Sequence, residues 1–183
     1  MVRAIAIIFI IMSSVFVGSL TYLEAFSRVG VAEEELGPFQ FLYVEQKGDY
    51  QQTGQSIRKI STELSKLGIT GRNGYAVYWD DPDKVRREDL RSEAGIILNP
   101  EDLEKVKGFE GLFKTKIFEK TRFMVARFPF KSSLSILVGV FKAYPAIGKY
   151  AQEHGYLPTF AIEIYEFKKQ IVYGIPVKTP SSP

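Results

Sequence analysis

Glu163 stands between Ile162 and Ile164 in the run Phe160-Ala-Ile-Glu-Ile-Tyr-Glu-Phe167. The alternation is that of a half-buried strand, with Phe160, Ile162 and Ile164 on one face and Ala161, Glu163, Tyr165 and Phe167 on the other. A carboxylate in that company must be paired, hydrated in a cleft or kept neutral, and otherwise costs about a few kcal/mol. Two kinds of chemistry suit it: pairing with a cationic ligand, or general-base work on water. Tyr165 shares its face, and Trp79, Tyr75, Tyr43 and Tyr173 are candidate pocket walls. A cation held over such rings gains about 0.5–2 kcal/mol per good contact. The plainer readings are a rim glutamate paired with a lysine or arginine, and aromatics that simply fill a core. The face of Tyr173 depends on the Lys168-Lys169-Gln170 hairpin, because a shift of one residue turns it to the other side.

The other reactive side chains read as structural. Asp80 and Asp81 before Pro82 are a paired-acid candidate, but Asp-Pro is ordinary turn chemistry. His154 before Gly155 reads as a cation at a helix C-terminus. Ser132, Ser133 and Ser135 have no base nearby in sequence, and there is no Gly-x-Ser-x-Gly motif. The 183 residues include no cysteine and one histidine. That excludes thiolate nucleophiles, disulfides, thiolate zinc and multi-histidine metal sites, so neither a metal nor a cofactor is expected. The net charge of +3 is dispersed, and the run Asp80 to Glu93 mixes both signs. This is a solvated loop and not a phosphate-tracking stripe, so nucleic acid is not an expected partner.

Stepping along the chain, Ala4 to Leu23 is an uncharged run long enough, at 1.5 Å per residue, to span roughly 30 Å of hydrocarbon. It is expected to be a single-pass membrane anchor, the N-terminus cytoplasmic by the few basic residues. The alternative is a cleaved signal peptide, for which Val17-Gly18-Ser19 is a poor cleavage site. Residues 24–36 read as a juxtamembrane linker, 37–177 as one domain and 178–183 as a short tail.

Within the domain, Phe39–Gln46 reads as a strand. A helix then begins near Thr53, with Ile57, Ile60, Leu64 and Leu67 on its stripe and Gly68 as its stop. Strands at Tyr75–Asp80 and Ser92–Leu98 follow. Asn99-Pro100-Glu101-Asp102 starts a short helix that ends by Gly108. Lys114–Phe118 and Arg122–Phe128 are strands. Ser133–Glu153 is a helix with Leu134, Leu137, Val138, Phe141 and Tyr144 on its apolar side, to be kinked or divided at Pro145. Strands at Thr159–Phe167 and Ile171–Val177 close the chain. Strand–helix–strand–strand thus occurs twice, about 80 to 85 residues apart, and an internal duplication predicts two equivalent modules with a groove between them.

Several motifs resemble one family. They are Gly48-Asp-Tyr50, Gly74-Tyr-Ala-Val-Tyr-Trp-Asp-Asp-Pro82 with Val85, Arg91 and Gly95, Arg127-Phe-Pro-Phe130, Tyr144-Pro-Ala146 and Glu163-Ile-Tyr165. In this order they look like the GyrI-like small-molecule-binding domains, over about Gly37 to Val177. Within the family the chain is similar to the membrane-anchored branch that includes the testis-expressed ER-phagy receptor. It ends without that receptor's long tail, so the receptor function is not expected. The resemblance implies an α+β fold in which duplicated strand–helix–strand–strand modules form one curved antiparallel sheet. It also implies that Glu163 matches the late-strand glutamate that pairs with cationic ligands in drug-sensing members. No DNA-binding segment precedes the domain, so a regulator is not expected.

The function expected is therefore a membrane-tethered, non-enzymatic binder of amphipathic or cationic aromatic small molecules. A hydrolase of strained electrophiles using Glu163 is the first alternative. A membrane-anchored protein-interaction scaffold, using the groove or the Asp80–Arg91 loop, is the second.

Overall fold

The uncharged N-terminal run forms helix α1 (Val2–Tyr22) in the computed structural model, which describes residues 2–109, 111–166 and 169–179. Phe167 and Lys168, at the end of an expected strand and its hairpin, and residues 180–183 of the expected tail lie outside these. The window Ile5–Tyr22 has a mean hydropathy of 2.2 and none of it is buried. Among the described residues α1 is the one helix long and apolar enough to cross a membrane.

Eight strands follow among the described residues: β1 (Val31–Leu36), β2 (Phe39–Lys47), β3 (Gly74–Tyr78), β4 (Arg91–Leu98), β5 (Lys114–Phe118), β6 (Thr121–Pro129), β7 (Ala161–Glu166) and β8 (Gln170–Pro176). Helix α2 (Thr53–Lys66) joins β2 to β3, the short α3 (Leu103–Val106) lies between β4 and β5, and α4 (Leu134–His154) joins β6 to β7. The strands make one antiparallel sheet in the order β1-β6-β8-β7-β3-β4-β2-β5. The α+β class and the duplication are as expected: β2-α2-β3-β4 and β6-α4-β7-β8 are the two modules, and their second strands meet at the centre, Ala76 opposite Glu163.

The expected linker requires a correction. Its second half is β1, which pairs with β6 from Val31↔Ala126 to Leu36↔Thr121. Three consecutive acids, Glu33-Glu34-Glu35, hide its alternation, and each finds a cation: Arg122 for Glu33 (2.6 Å), Arg127 for Glu34 and Lys120 for Glu35 (2.5 Å). Strand β5 does the corresponding job at the far edge, pairing with β2. Each module's outer strand is therefore covered by a strand that precedes the other module.

Helix α2 buries Ile57, Ile60 and Leu64 as expected, but Leu67 is exposed and Ile69 is buried instead. Gly68, at φ +72°, ends the helix in the left-handed region that favours glycine. Asn99 stands before the short helical turn as expected, its backbone N–H donating to Asp102 Oδ2 at 3.0 Å.

Helix α4 departs further from expectation. It runs through Pro145 undivided, and its sheet-facing stripe is Ser135, Gly139, Ala143, Ile147 and Ala151. Leu134, Leu137 and Phe141, expected on the buried side, point outward, while Val138 and Tyr144 are half-buried. The reason is distance. A Cβ on Gly139 would lie 2.2 Å from the Tyr173 hydroxyl oxygen and 2.9 Å from its Cζ. Only a stripe of small residues lets α4 lie this close to the sheet.

With α2 packed chiefly on β4, and α4 on β6 and β8, the central pair β3–β7 lies between the strands that the two helices cover. The opposite face of the sheet has its own core, including Phe41, Tyr75, Val77, Phe123, Ile162 and Ile164.

Two glycine substitutions separate close packing from helix propensity. Gly139→Ala should cost about 1–3 kcal/mol through overpacking, and Tyr173→Phe in the same chain should recover part of it by removing the first atom met. Gly148 meets nothing within 4 Å, and Gly148→Ala should stabilise by up to about 1 kcal/mol. Thermal unfolding of the single and double variants, at roughly 2–4 °C per kcal/mol, checks both.

Candidate functional site

The register places Ala76 and Tyr173 on either side of Glu163, and the Glu163 carboxylate lies on the face of the sheet that the helices cover, where Tyr144 of α4 meets it. Glu163 is 3% exposed. Its Oε1 accepts a hydrogen bond from the Tyr144 hydroxyl of α4 at 2.8 Å, and its Oε2 one from Tyr165 at 2.5 Å. The Tyr165 hydroxyl lies 3.2 Å from that of Tyr78, which lies 3.3 Å from Thr53 Oγ1 at the start of α2. A relay of hydroxyls thus runs from the carboxylate to the other module's helix. The ring of Tyr50 packs on Tyr78 at 4.7 Å, and its hydroxyl donates to the Asp80 carbonyl at 2.7 Å. Tyr173 sits edge-on to Tyr144 at 5.6 Å and donates to the Ile136 carbonyl at 3.1 Å.

Among the described residues Glu163 makes no ion pair, so this is a buried carboxylate answered by hydroxyls alone. Burial raises its pKa above the ordinary carboxylate value, and the hydrogen bonds from Tyr165, Tyr144 and Tyr78 offset part of that rise. Burial, then the Glu163 charge, pushes the Tyr144 and Tyr165 hydroxyls well above their usual range. The tyrosines therefore keep their protons and remain donors.

Glu163, Tyr165 and Tyr173 share this face. Tyr75, Tyr43 and Trp79 do not, which corrects the single pocket expected from the sequence. Because Ala76 stands opposite Glu163, its neighbours Tyr75 and Val77 must point through the sheet to the other side. There Tyr75 stacks on Phe41 at 3.6 Å with its hydroxyl buried and unpartnered. Trp79 packs against Phe160 at 4.9 Å. The cation near Tyr43 and Trp79 is the chain's own Lys116, 4.8 and 5.6 Å from the ring centroids and ion-paired with Glu93.

Tyr144, Tyr78 and Thr53 escaped the sequence reading as site residues. Tyr144 and Tyr78 lay within motifs already singled out, but only the pairing of β3 with β7 shows that Tyr78, two residues from Ala76, shares the face of Glu163. Asp80 and Asp81 are structural as expected. Asp80 takes Arg91 bidentately at 2.7 and 3.0 Å, and Asp81 accepts from the Asp83 backbone at 3.0 Å. His154 sits at the last turn of α4, Nδ1 2.9 Å from the Tyr150 carbonyl. Ser135 Oγ accepts from the backbone N–H groups of Lys131 and Ser132 at 3.0 and 3.1 Å. No cluster of metal-ligating side chains occurs among the described residues.

A duplicated module with a buried acid at the strand pair between its halves belongs to a known class of ligand-binding fold. Residues 31–170 match the GyrI-like small molecule binding domain, and the chain belongs to that family. Its fold is similar to the cryo-EM structure of EcmrR bound to DNA, at 15% identity and TM-score 0.59 over 98% of this chain and 68% of that one. The EcmrR C-terminal domain alone gives 12% identity and TM-score 0.57, over 83% and 99% of the two chains. SAV2435 bound to tetraphenylphosphonium gives 14% and 0.51, over 81% and 94%. At these identities the likeness is one of fold. No curated protein matches the sequence.

The raised pKa of Glu163 has a measurable sign. The folded protein holds a proton that the unfolded chain releases, so the stability Glu163 contributes is full below about pH 4.5 and is lost as pH rises through its folded value. Glu163→Gln, which cannot ionise, should gain on the parent chain across that window. Urea unfolding of both proteins over pH tests this; a difference that stays constant with pH contradicts it.

Proposed function

We propose that the chain is a membrane-tethered binder of amphipathic, cationic aromatic small molecules, with Glu163 as the charged anchor. One observation carries the reading: the Glu163 carboxylate is buried among tyrosines, and among the described residues no cation answers it. A lipophilic cation supplies the missing charge, and the rings of Tyr144, Tyr165, Tyr78 and Tyr173 supply faces for it. In the absence of ligand, the Tyr144 and Tyr165 hydroxyls hold the site. Family membership supports a small-molecule ligand, and the tetraphenylphosphonium bound to SAV2435 supports a lipophilic cation. The length and hydropathy of α1 support the tether, and with it a place in the membrane-anchored branch of the family.

Calorimetric titration of the full chain with tetraphenylphosphonium tests the reading. Binding should be at least roughly tenfold weaker in Glu163→Gln, about 1.4 kcal/mol. Because the cation needs the ionised carboxylate, affinity should tighten as pH rises through the raised pKa, with a proton released on binding. Equal binding by the two chains, or none at any pH by the parent, overturns it.

A further inference from the structure

Leu134, Leu137 and Phe141 fall on one stripe of α4 and are 59%, 55% and 71% exposed. No charged residue interrupts Leu134 to Phe141. This stripe is not core turned outward by a loose helix, because the small residues on the opposite side already pack against the sheet. A grouped apolar surface of this kind needs a cover.

Its place beside α1 says what the cover is. Lys131 Nζ donates to the Tyr22 carbonyl at 2.9 Å and pairs with Glu24 at 2.7 Å. Lys142, next to Phe141, donates to the Ala25 carbonyl at 2.6 Å. One lysine just before α4 and one in its third turn thus satisfy backbone carbonyls at the end of α1 and just beyond it. Leu134 and Ser132 also line one crevice with Val15, Gly18, Ser19 and Tyr22. Val15 to Tyr22 is about 10 Å of helix, and it is the C-terminal part of the apolar window Ile5–Tyr22. A side chain set against that stretch cannot stand clear of a bilayer that the window crosses.

We propose that the outer face of α4, formed by Leu134, Leu137 and Phe141, is a second membrane contact. It rests in the interfacial layer beside α1 and holds the domain against the lipid. The inference depends on the reading of α1 as an anchor. It also links the lipid to the site, since Phe141 is one turn from Tyr144, whose hydroxyl holds Glu163.

The cysteine-free chain allows single labels to be placed cleanly. The full-length protein, carrying a nitrobenzoxadiazole fluorophore on Phe9→Cys, Leu134→Cys, Phe141→Cys or Gln152→Cys, is placed in phosphatidylcholine–phosphatidylserine vesicles. The quenchers are lipids brominated at different acyl depths. Positions 134 and 141 should show blue-shifted emission and a roughly twofold loss to shallow bromines, the depth of about 5–10 Å at which interfacial helices lie. Position 9 should respond to deep bromines, and position 152 to neither. Quenching at 9 without quenching at 134 and 141 overturns the contact and leaves the anchor standing. No quenching at 9 removes the anchor, and this inference with it. Position 152 lies on the same stripe of α4, about 16 Å beyond 141, so quenching there equal to that at 141 overturns a contact confined to the end of α4 beside α1. Loss at 141 that grows with protein density and persists in unbrominated lipid assigns the face to a second copy of the chain and overturns the proposal as well.

Discussion

The hydrogen bonds that Tyr144 and Tyr165 give to the buried carboxylate of Glu163 join more of this fold than any other set of polar contacts described here. Four elements meet at them: β7 supplies the acid, α4 one donor, β3 the next hydroxyl and α2 the threonine beyond it. A carboxylate shut away from water without a counter-charge is costly, and hydroxyl donors recover only part of that cost. The carboxylate is therefore satisfied in its hydrogen bonds and left without a counter-charge. That imbalance is the physical basis of the proposed cation site.

The seam exists because the modules are equivalent and pair through their second strands. Each helix covers its own module, and the strands between the helices are left to whatever side chains can span the gap. Tyrosine suits that position. It is long enough to reach across, its ring fills volume, and its hydroxyl ends where the carboxylate needs a donor. The outer strands are closed by exchange, β1 against β6 and β5 against β2, so that neither module is complete alone. The cations that hold β1 are consequently drawn from β6 and the turn before it, far away in sequence.

Helix α4 shows how one requirement dictates another. To bring Tyr144 over Glu163 the helix must lie close to β8, and Gly139 and Ala143 make that approach open. The larger apolar residues are then left on the far side. An amphipathic helix normally buries its large residues, and here Leu134, Leu137 and Phe141 face outward while Gly139 and Ala143 face the sheet.

Much of this was legible in the sequence. Strand alternation around Glu163, the glycine after α2, the helix start at Asn99-Pro100 and the repeat of strand–helix–strand–strand all rest on local chemistry that a short stretch carries complete. Glu163 could be recognised as an anomaly because its neighbours in the strand set its surroundings. The side on which each aromatic fell could not. Tyr75 and Trp79 look as suitable as Tyr78, and only the pairing of Ala76 with Glu163 sends the first two through the sheet and keeps the third. Strand β1 was hidden for a similar reason: three acids in a row are plausible in a strand only when the cations opposite them are known. By itself the sequence determined the elements, the duplication and the identity of the buried acid, since these follow from periodicity and residue type within a few turns of chain. The tertiary structure alone decided which tyrosines face that acid and which face of α4 is turned outward, because register and close packing depend on residues that meet only in the fold.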